Sequence, residues 1–204
     1  MKTSLLSLIG LTALIGVAFA APQTFDFKDP KGVNNAVFKL DAPLEAIQGS
    51  ANGISGSVIF DPQAPGSAKG KLVVTAASLH VPNATMNGHL HGDQWMNATK
   101  FPEITFETKE LKNVKTSGDT TTADAVGTLT IKGVAKEITT PVKLSYLKGK
   151  LGQRVPNMKG DLLVIRSNFT IKRSDFGINP QATQDKVSDD IELNLSVAGA
   201  SAAL

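Results

Sequence analysis

Two clusters hold the residue types from which chemistry is made. His89 and His91 lie two apart, and the 204 residues contain only one other histidine, His80. On a strand the two rings would share a face, and on a helix they would point apart. Zinc would need a third ligand; His80 or Asp93 could supply it, but nothing in the spacing demands one. Histidines that hydrogen-bond at a surface or a mouth are therefore preferred, and no metal is expected. The second cluster is Arg173 and Asp175, also two apart. It reads first as an ion pair bracing the Phe176-Gly177 turn. The alternative is Arg173 as a charge-assisted donor to an anionic or carbonyl head group.

No enzyme signature accompanies these clusters. Gly53-Ile54-Ser55-Gly56-Ser57 lacks the last glycine of a nucleophile elbow, and no P-loop, dinucleotide-binding glycine pattern or His-Glu-x-x-His occurs. The chain has no Cys, which excludes disulfides, thiolate metal sites and a Cys nucleophile. We expect no catalytic residues and no cofactor. Lys and Arg number 21 against 18 Asp and Glu, for a formal net charge of +3. They are scattered singly, with no basic stripe and no aromatic interleaving, so nucleic acid is not an expected partner.

The elements around these residues read as strands. From Gly127 to Tyr146, Leu129 and Ile131 alternate with threonines; past Lys132-Gly133, Ile138, Thr140, Val142, Leu144 and Tyr146 repeat every second residue. Two period-two runs broken by a Gly-containing pair predict a hairpin with one apolar face. Asp190 to Val197 alternates in the same way, and Leu162 to Ile171 and the segments around Phe25, Phe38, Phe60, Leu72 and Phe106 supply further strands. Pro141 falls on the polar phase of its strand and has no donor, which suits an edge, a bulge or a barrel seam. The rhythm breaks at residues 83-97, where Asn83 can cap a short helix carrying Met86 and Leu90 on one face, with Asp93 to Met96 as a second turn. Met86, Leu90, Trp95 and Met96 would there form either a lid over a pocket or a plug in one end of the core. An all-β chain with so little helix is a sandwich or a closed barrel.

The N-terminus predicts export. Met1-Lys2 gives a positive start, Leu5 to Phe19 an apolar core, and Ala18-Phe19-Ala20 a small-x-small site. We expect a signal peptide over 1-20, cleavage near Ala20, and a single domain over 21-204, soluble in the periplasm or secreted.

Four segments then occur in a specific order. They are Ile59-Phe60-Asp61-Pro62 leading to Leu79-His80; His89-Leu90 through Trp95 to Phe101-Pro102-Glu103-Ile104-Thr105-Phe106; Gly127-Thr128-Leu129-Thr130-Ile131-Lys132-Gly133-Val134; and Arg173-Ser174-Asp175-Phe176-Gly177. Ser188 to Leu193 follows as a closing strand. In this order the chain resembles the YceI-like family of periplasmic polyisoprenoid-binding proteins. It departs from that family's pattern at Asn87-Gly88, at Trp95-Met96-Asn97 and at Asn34-Asn35.

The resemblance implies an eight-stranded antiparallel lipocalin-like barrel, extended in shape, holding a long-chain isoprenoid or a similar amphiphile such as a polyprenyl phosphate, a quinone or a fatty amide. Eight strands is the size at which a barrel interior is either filled by side chains or holds one small ligand. The candidate apolar lining is Phe38, Phe60, Phe106 and Phe169, with Leu129, Ile131, Leu144 and Tyr146. The candidate mouth or lid is Met86, His89, Leu90, Trp95 and Met96, with Arg173, Asp175 and Phe176; His89 would donate to a ligand head. The expected partner is an amphiphilic lipid, with transient membrane contact and a homodimer as further expectations. A structural or stress-related interaction protein with a filled core is the alternative.

Overall fold

A computed structural model describes residues 21–202; the expected signal peptide lies outside the described residues. Eleven strands carry most of the described residues: β1 Gln23–Asp26, β2 Asn35–Asp41, β3 Ala46–Ala51, β4 Ile54–Phe60, β5 Lys69–Thr75, β6 Leu79–His80, β7 Glu103–Ser117, β8 Thr120–Ile131, β9 Val134–Leu147, β10 Gly160–Lys172 and β11 Asp190–Ala202. All pairings are antiparallel, in the order β1-β4-β5-β7-β8-β9-β10-β11, and β1 pairs again with β11. The fold is a closed eight-stranded antiparallel barrel.

Three walls of the barrel are broken strands. β1 and β2 both run antiparallel to β11, with Asp26 opposite Ala200 and Ala36 opposite Leu195. They form one line interrupted by the loop of residues 27–34. β3 continues into β4 along the next line, and β5 into β6 along the third, since β6 pairs with β3. The first break would leave the edge of β11 open. Buried Asn34 closes it, because its side-chain amide accepts from Ala198 N–H at 2.9 Å and donates to Ala198 C=O at 3.1 Å. One side chain thus replaces a peptide rung of the ladder. Arg154 holds it from outside, bonding both the Asn34 oxygen and the Asp29 carboxylate.

The hairpin forms as its sequence predicts. β8 and β9 pair without interruption from Thr120–Ser145 to Ile131–Val134. Lys132 and Gly133 turn between them at φ 49° and 77°. Two positive φ values suit a tight hairpin turn, and Gly tolerates them at no steric cost.

Pro141 marks a seam. The β9–β10 ladder begins at Leu147–Leu162 and stops at Val142–Ser167, one residue short of the proline. Pro141 has no N–H to continue it. Side chains stitch the place instead: Ser167 Oγ donates to the Pro141 carbonyl at 2.8 Å and shares a 2.8 Å hydrogen bond with the Thr140 hydroxyl. Beyond it, residues 134–141 and 168–172 face each other without a ladder. The Lys136–Asp175 ion pair, 3.0 Å long, spans the far end.

Between β6 and β7 the chain forms helix α1, Ala84–His91. Asn83 caps it, its side chain accepting from the Met86 N–H at 3.0 Å. Asp93 to Met96 does not extend the helix as expected; it makes successive turns, with Met96 N–H bonded to the Leu90 carbonyl. The helix covers the barrel end where β8 stops and β9 starts. A second helix, α2 Leu151–Arg154, lies at the opposite end and has no counterpart in the sequence reading.

Candidate functional site

The barrel is hollow. A cavity of ≈ 380 Å³ runs inside it, walled by residues from every line of the barrel and by α1. The wall is overwhelmingly apolar because each strand turns its alternate hydrophobic residues inward. On β8 these are Leu129 and Ile131, on β9 Val142 and Leu144, on β10 Ile165, Phe169 and Ile171, and on β11 Leu193 and Leu195.

Two glycines explain how a barrel lined with phenylalanines stays open. The Phe38 ring lies over Gly49 of β3, where a Cβ would meet it at 2.2 Å. The Phe106 ring lies over Gly127 of β8, where a Cβ would meet it at 2.6 Å. Each ring occupies wall space that a side chain would otherwise take, so neither fills the lumen.

Six of the eight expected lining residues border the cavity: Phe38, Phe106, Leu129, Ile131, Leu144 and Phe169. Phe60 and Tyr146 do not. They close the barrel end away from α1, packed with Phe25, whose ring meets Phe60 at 6.5 Å and 71° and Tyr146 at 6.2 Å and 84°. Edge-to-face packing of this kind fills space rather than enclosing it. The Tyr146 hydroxyl donates to Asp161 at 2.6 Å, and Asp161 also accepts from Gln23 at 3.0 Å and from Gly149 N–H at 2.7 Å. Burial, followed by the hydrogen bond to Asp161, pushes the Tyr146 phenol up to about 12. For Asp161 burial acts upward, but the bonds it accepts from Tyr146, Gly149 and Gln23 outweigh burial and hold the carboxyl below its ordinary range.

At the α1 end the expected mouth residues divide. Met86, His89, Leu90, Trp95, Met96 and Arg173 border the cavity; Asp175 and Phe176 do not. Phe176 is buried in the core beside Ile178, and Gly177 follows it in the left-handed conformation at φ 64°. The expected Arg173–Asp175 ion pair is not formed. Asp175 pairs with Lys136 across the seam. Arg173, 1% exposed, spends its N–H groups on backbone carbonyls of Ile178, Asn179, Ala182, Val187 and Ser188. It pins the 178–188 loop against the barrel, and Trp95 lies 6.0 Å from its guanidinium. Burying a cation requires its donors to be satisfied, and here main-chain oxygens satisfy them. None is left for a ligand head.

His89 and His91 lie on the last turn of α1, where their spacing points them apart, and only His89 borders the cavity. Among the described residues no three His, Asp or Glu side chains form a metal-binding group. Residues outside the sequence reading complete the mouth: Glu45 and Ile47 from the β2–β3 hairpin, and Ile178 and Val187 from the pinned loop. Val187 and Ile178 sit in irregular chain with no periodicity to reveal them. Glu45 borders an apolar space and reads as a turn residue in sequence.

The YceI-like domain family matches residues 29–198. The chain belongs to the YceI-like family. A UPF0312 protein of Yersinia pestis (strain Pestoides F) is 34% identical over 153 residues, 75% of this chain and 73% of that protein. The YCEI protein of Campylobacter jejuni is 29% identical with a TM-score of 0.63, covering 78% of this YceI-like chain and 88% of that one. BcnA of Burkholderia cenocepacia shares the fold at 20% identity with a TM-score of 0.66, covering 81% and 95%. A polyisoprenoid binding domain of Saccharophagus degradans shares it at 14% identity and a TM-score of 0.61, covering 89% and 99%. The YceI-like barrel is thus common ground for sequences that have diverged widely.

Proposed function

We propose that this protein holds a long-chain isoprenoid or a similar amphiphile in the barrel lumen, carrying or storing it outside the cytoplasm after export by the N-terminal signal. The observation that carries the reading is the hollow, apolar interior. A space of ≈ 380 Å³ falls within the range typical of small-molecule pockets, roughly 300–1,000 Å³. Each CH₂ moved from water into such a wall contributes about 0.8 kcal/mol, so a prenyl or acyl chain gains affinity in proportion to the length buried. Met86 and Met96 at the mouth can adapt to an irregular chain. The Saccharophagus degradans protein that shares this fold is a polyisoprenoid binding domain, which points the same way.

Organic extraction of gently purified protein followed by mass spectrometry tests this directly. We expect one dominant long-chain species in stoichiometric amount. A protein that repeatedly yields no lipid, and whose Trp95 fluorescence does not respond to prenyl or acyl probes, would overturn the reading.

A further inference from the structure

On the outer face of the barrel, cross-strand register puts four residues of adjacent strands into one transverse row. Lys115 of β7 lies opposite Thr122 of β8, Thr122 opposite Lys143 of β9, and Lys143 opposite Arg166 of β10. Neighbouring strands are ~4.8 Å apart, so Lys143 and Arg166 are cations held side by side, an arrangement that costs stability when nothing offsets it. Among the described residues none of the three cations joins an ion pair. All three are exposed. Arg166 spends one donor on Ser196.

The row does not lie on a flat surface. An open groove of ≈ 620 Å³ is lined by these residues together with Asn113, Asp124, Pro141 and Asn168. Asp124 is the one carboxylate in the lining, and Asn113 donates to it at 2.6 Å. Three cations against one engaged carboxylate leave the groove positive. Val142 and Ser167 line both this groove and the lumen, and they form the last rung before the seam. Groove and lumen therefore share the rung at which the β9–β10 ladder stops.

Among the described residues bordering the α1 mouth, Arg173 is committed to carbonyls and Glu45 is acidic, which leaves His89 as the one basic side chain there against three cations in the groove. We infer that the outer groove is an anion site for the phosphate or carboxylate head of an amphiphile whose chain lies in the lumen, the two parts joined through the seam above Pro141. The inference rests on the lipid-holding reading and adds to it the class of head group and its position. Lys143 and Arg166 would supply charge-assisted hydrogen bonds, the guanidinium gripping two oxygens at once.

The test compares geranylgeranyl phosphate, geranylgeraniol and inorganic phosphate on the full protein and on the double variant Lys143→Gln/Arg166→Gln, read by Trp95 fluorescence and calorimetry. We expect the natural protein to prefer the phosphate over the alcohol, and the double variant to lose roughly tenfold or more of that preference while binding the alcohol unchanged. Both side chains are exposed, so thermal melting should stay at or slightly above that of the natural protein. Acylation mapped by mass spectrometry needs no variant: the lipid phosphate should shield Lys143 and leave Lys132 and Lys186, at the α1 end, reactive. The inference is overturned if the double variant keeps its preference, or if shielding falls on Lys132 and Lys186. It is also overturned if inorganic phosphate binds the row as tightly as the lipid phosphate does, which would mark a site for free anions. If the natural protein binds neither the alcohol nor the lipid phosphate, the lipid-holding reading fails, and this inference with it.

Discussion

The two ends of the barrel use the same aromatic residues to opposite effect. At the α1 end Phe38 and Phe106 lie over glycines and border an open lumen. At the far end Phe25, Phe60 and Tyr146 meet one another, with Phe60 and Tyr146 at 6.0 Å and 39°, and the space closes. The difference lies in the partner each ring finds. A ring over a glycine is absorbed into the wall, whereas a ring facing other rings becomes a plug. Hydrogen bonding reinforces the contrast, because the closed end ties Tyr146 to Asp161 and Gln23 while the open end is bounded by a short helix and a pinned loop.

Removing a ring breaks the comparison most severely at the closed end. Phe25→Ala should lose about 3–5 kcal/mol, because the ring is fully enclosed and the deletion leaves a new cavity. Phe106→Ala should lose only about 1–2 kcal/mol, since part of its ring already borders empty space, and it should alter probe affinity instead. Urea denaturation followed by circular dichroism measures both, and equal losses would contradict a hollow α1 end.

Asn34 tests the closure on which both ends depend. Asn34→Ala should cost about 2–4 kcal/mol by leaving the Ala198 N–H and C=O without their side-chain rung. Hydrogen exchange should show the Ala198 amide opening before its neighbours on β11.

Adding volume sharpens the contrast further. Phe106→Trp should cost under about 1 kcal/mol and displace a lumen probe, whereas Leu163→Phe in the closed core should cost about 1–3 kcal/mol by overpacking. A Phe106→Trp penalty as large as that of Leu163→Phe would mean that the lumen is filled.

The smallest effect is one of pH. Tyr146 is raised in the folded state, so its contribution is complete below its ordinary 10.0 and is lost as pH rises through about 12. Asp161 is lowered, so its contribution is present above its ordinary 3.8 and fades as pH falls below it. The closed end should therefore be firmest between these limits. Tyr146→Phe should remove the alkaline loss and leave the α1 end untouched, as judged by melting temperature against pH and by Trp95 emission.

Much of this was legible from spacing alone. The inward phase of β8, β9, β10 and β11 follows from period two, the Lys132-Gly133 turn from its glycine, and the break in the β9–β10 ladder from a residue with no N–H. Legibility failed where apolar alternation is absent. β3, whose residues 46–51 read AIQGSA, and the polar half of β7 beyond Thr108 are strands because their neighbours are strands. Arg173 was misread for a related reason: an Asp two residues away looks like its partner, yet its partners are carbonyls of a loop up to fifteen residues downstream. A carbonyl belongs to every residue and leaves no mark in a sequence.

By itself the sequence determined the periods, the breaks and the family. Those depend on local backbone chemistry and on which side chains repel water. Only the tertiary structure decided that Tyr146 plugs while Phe106 lines, since the two share a phase and differ only in what distant strands bring against them. It alone also aligned Lys115, Lys143 and Arg166 in one row, because cross-strand register depends on the closure of the whole barrel.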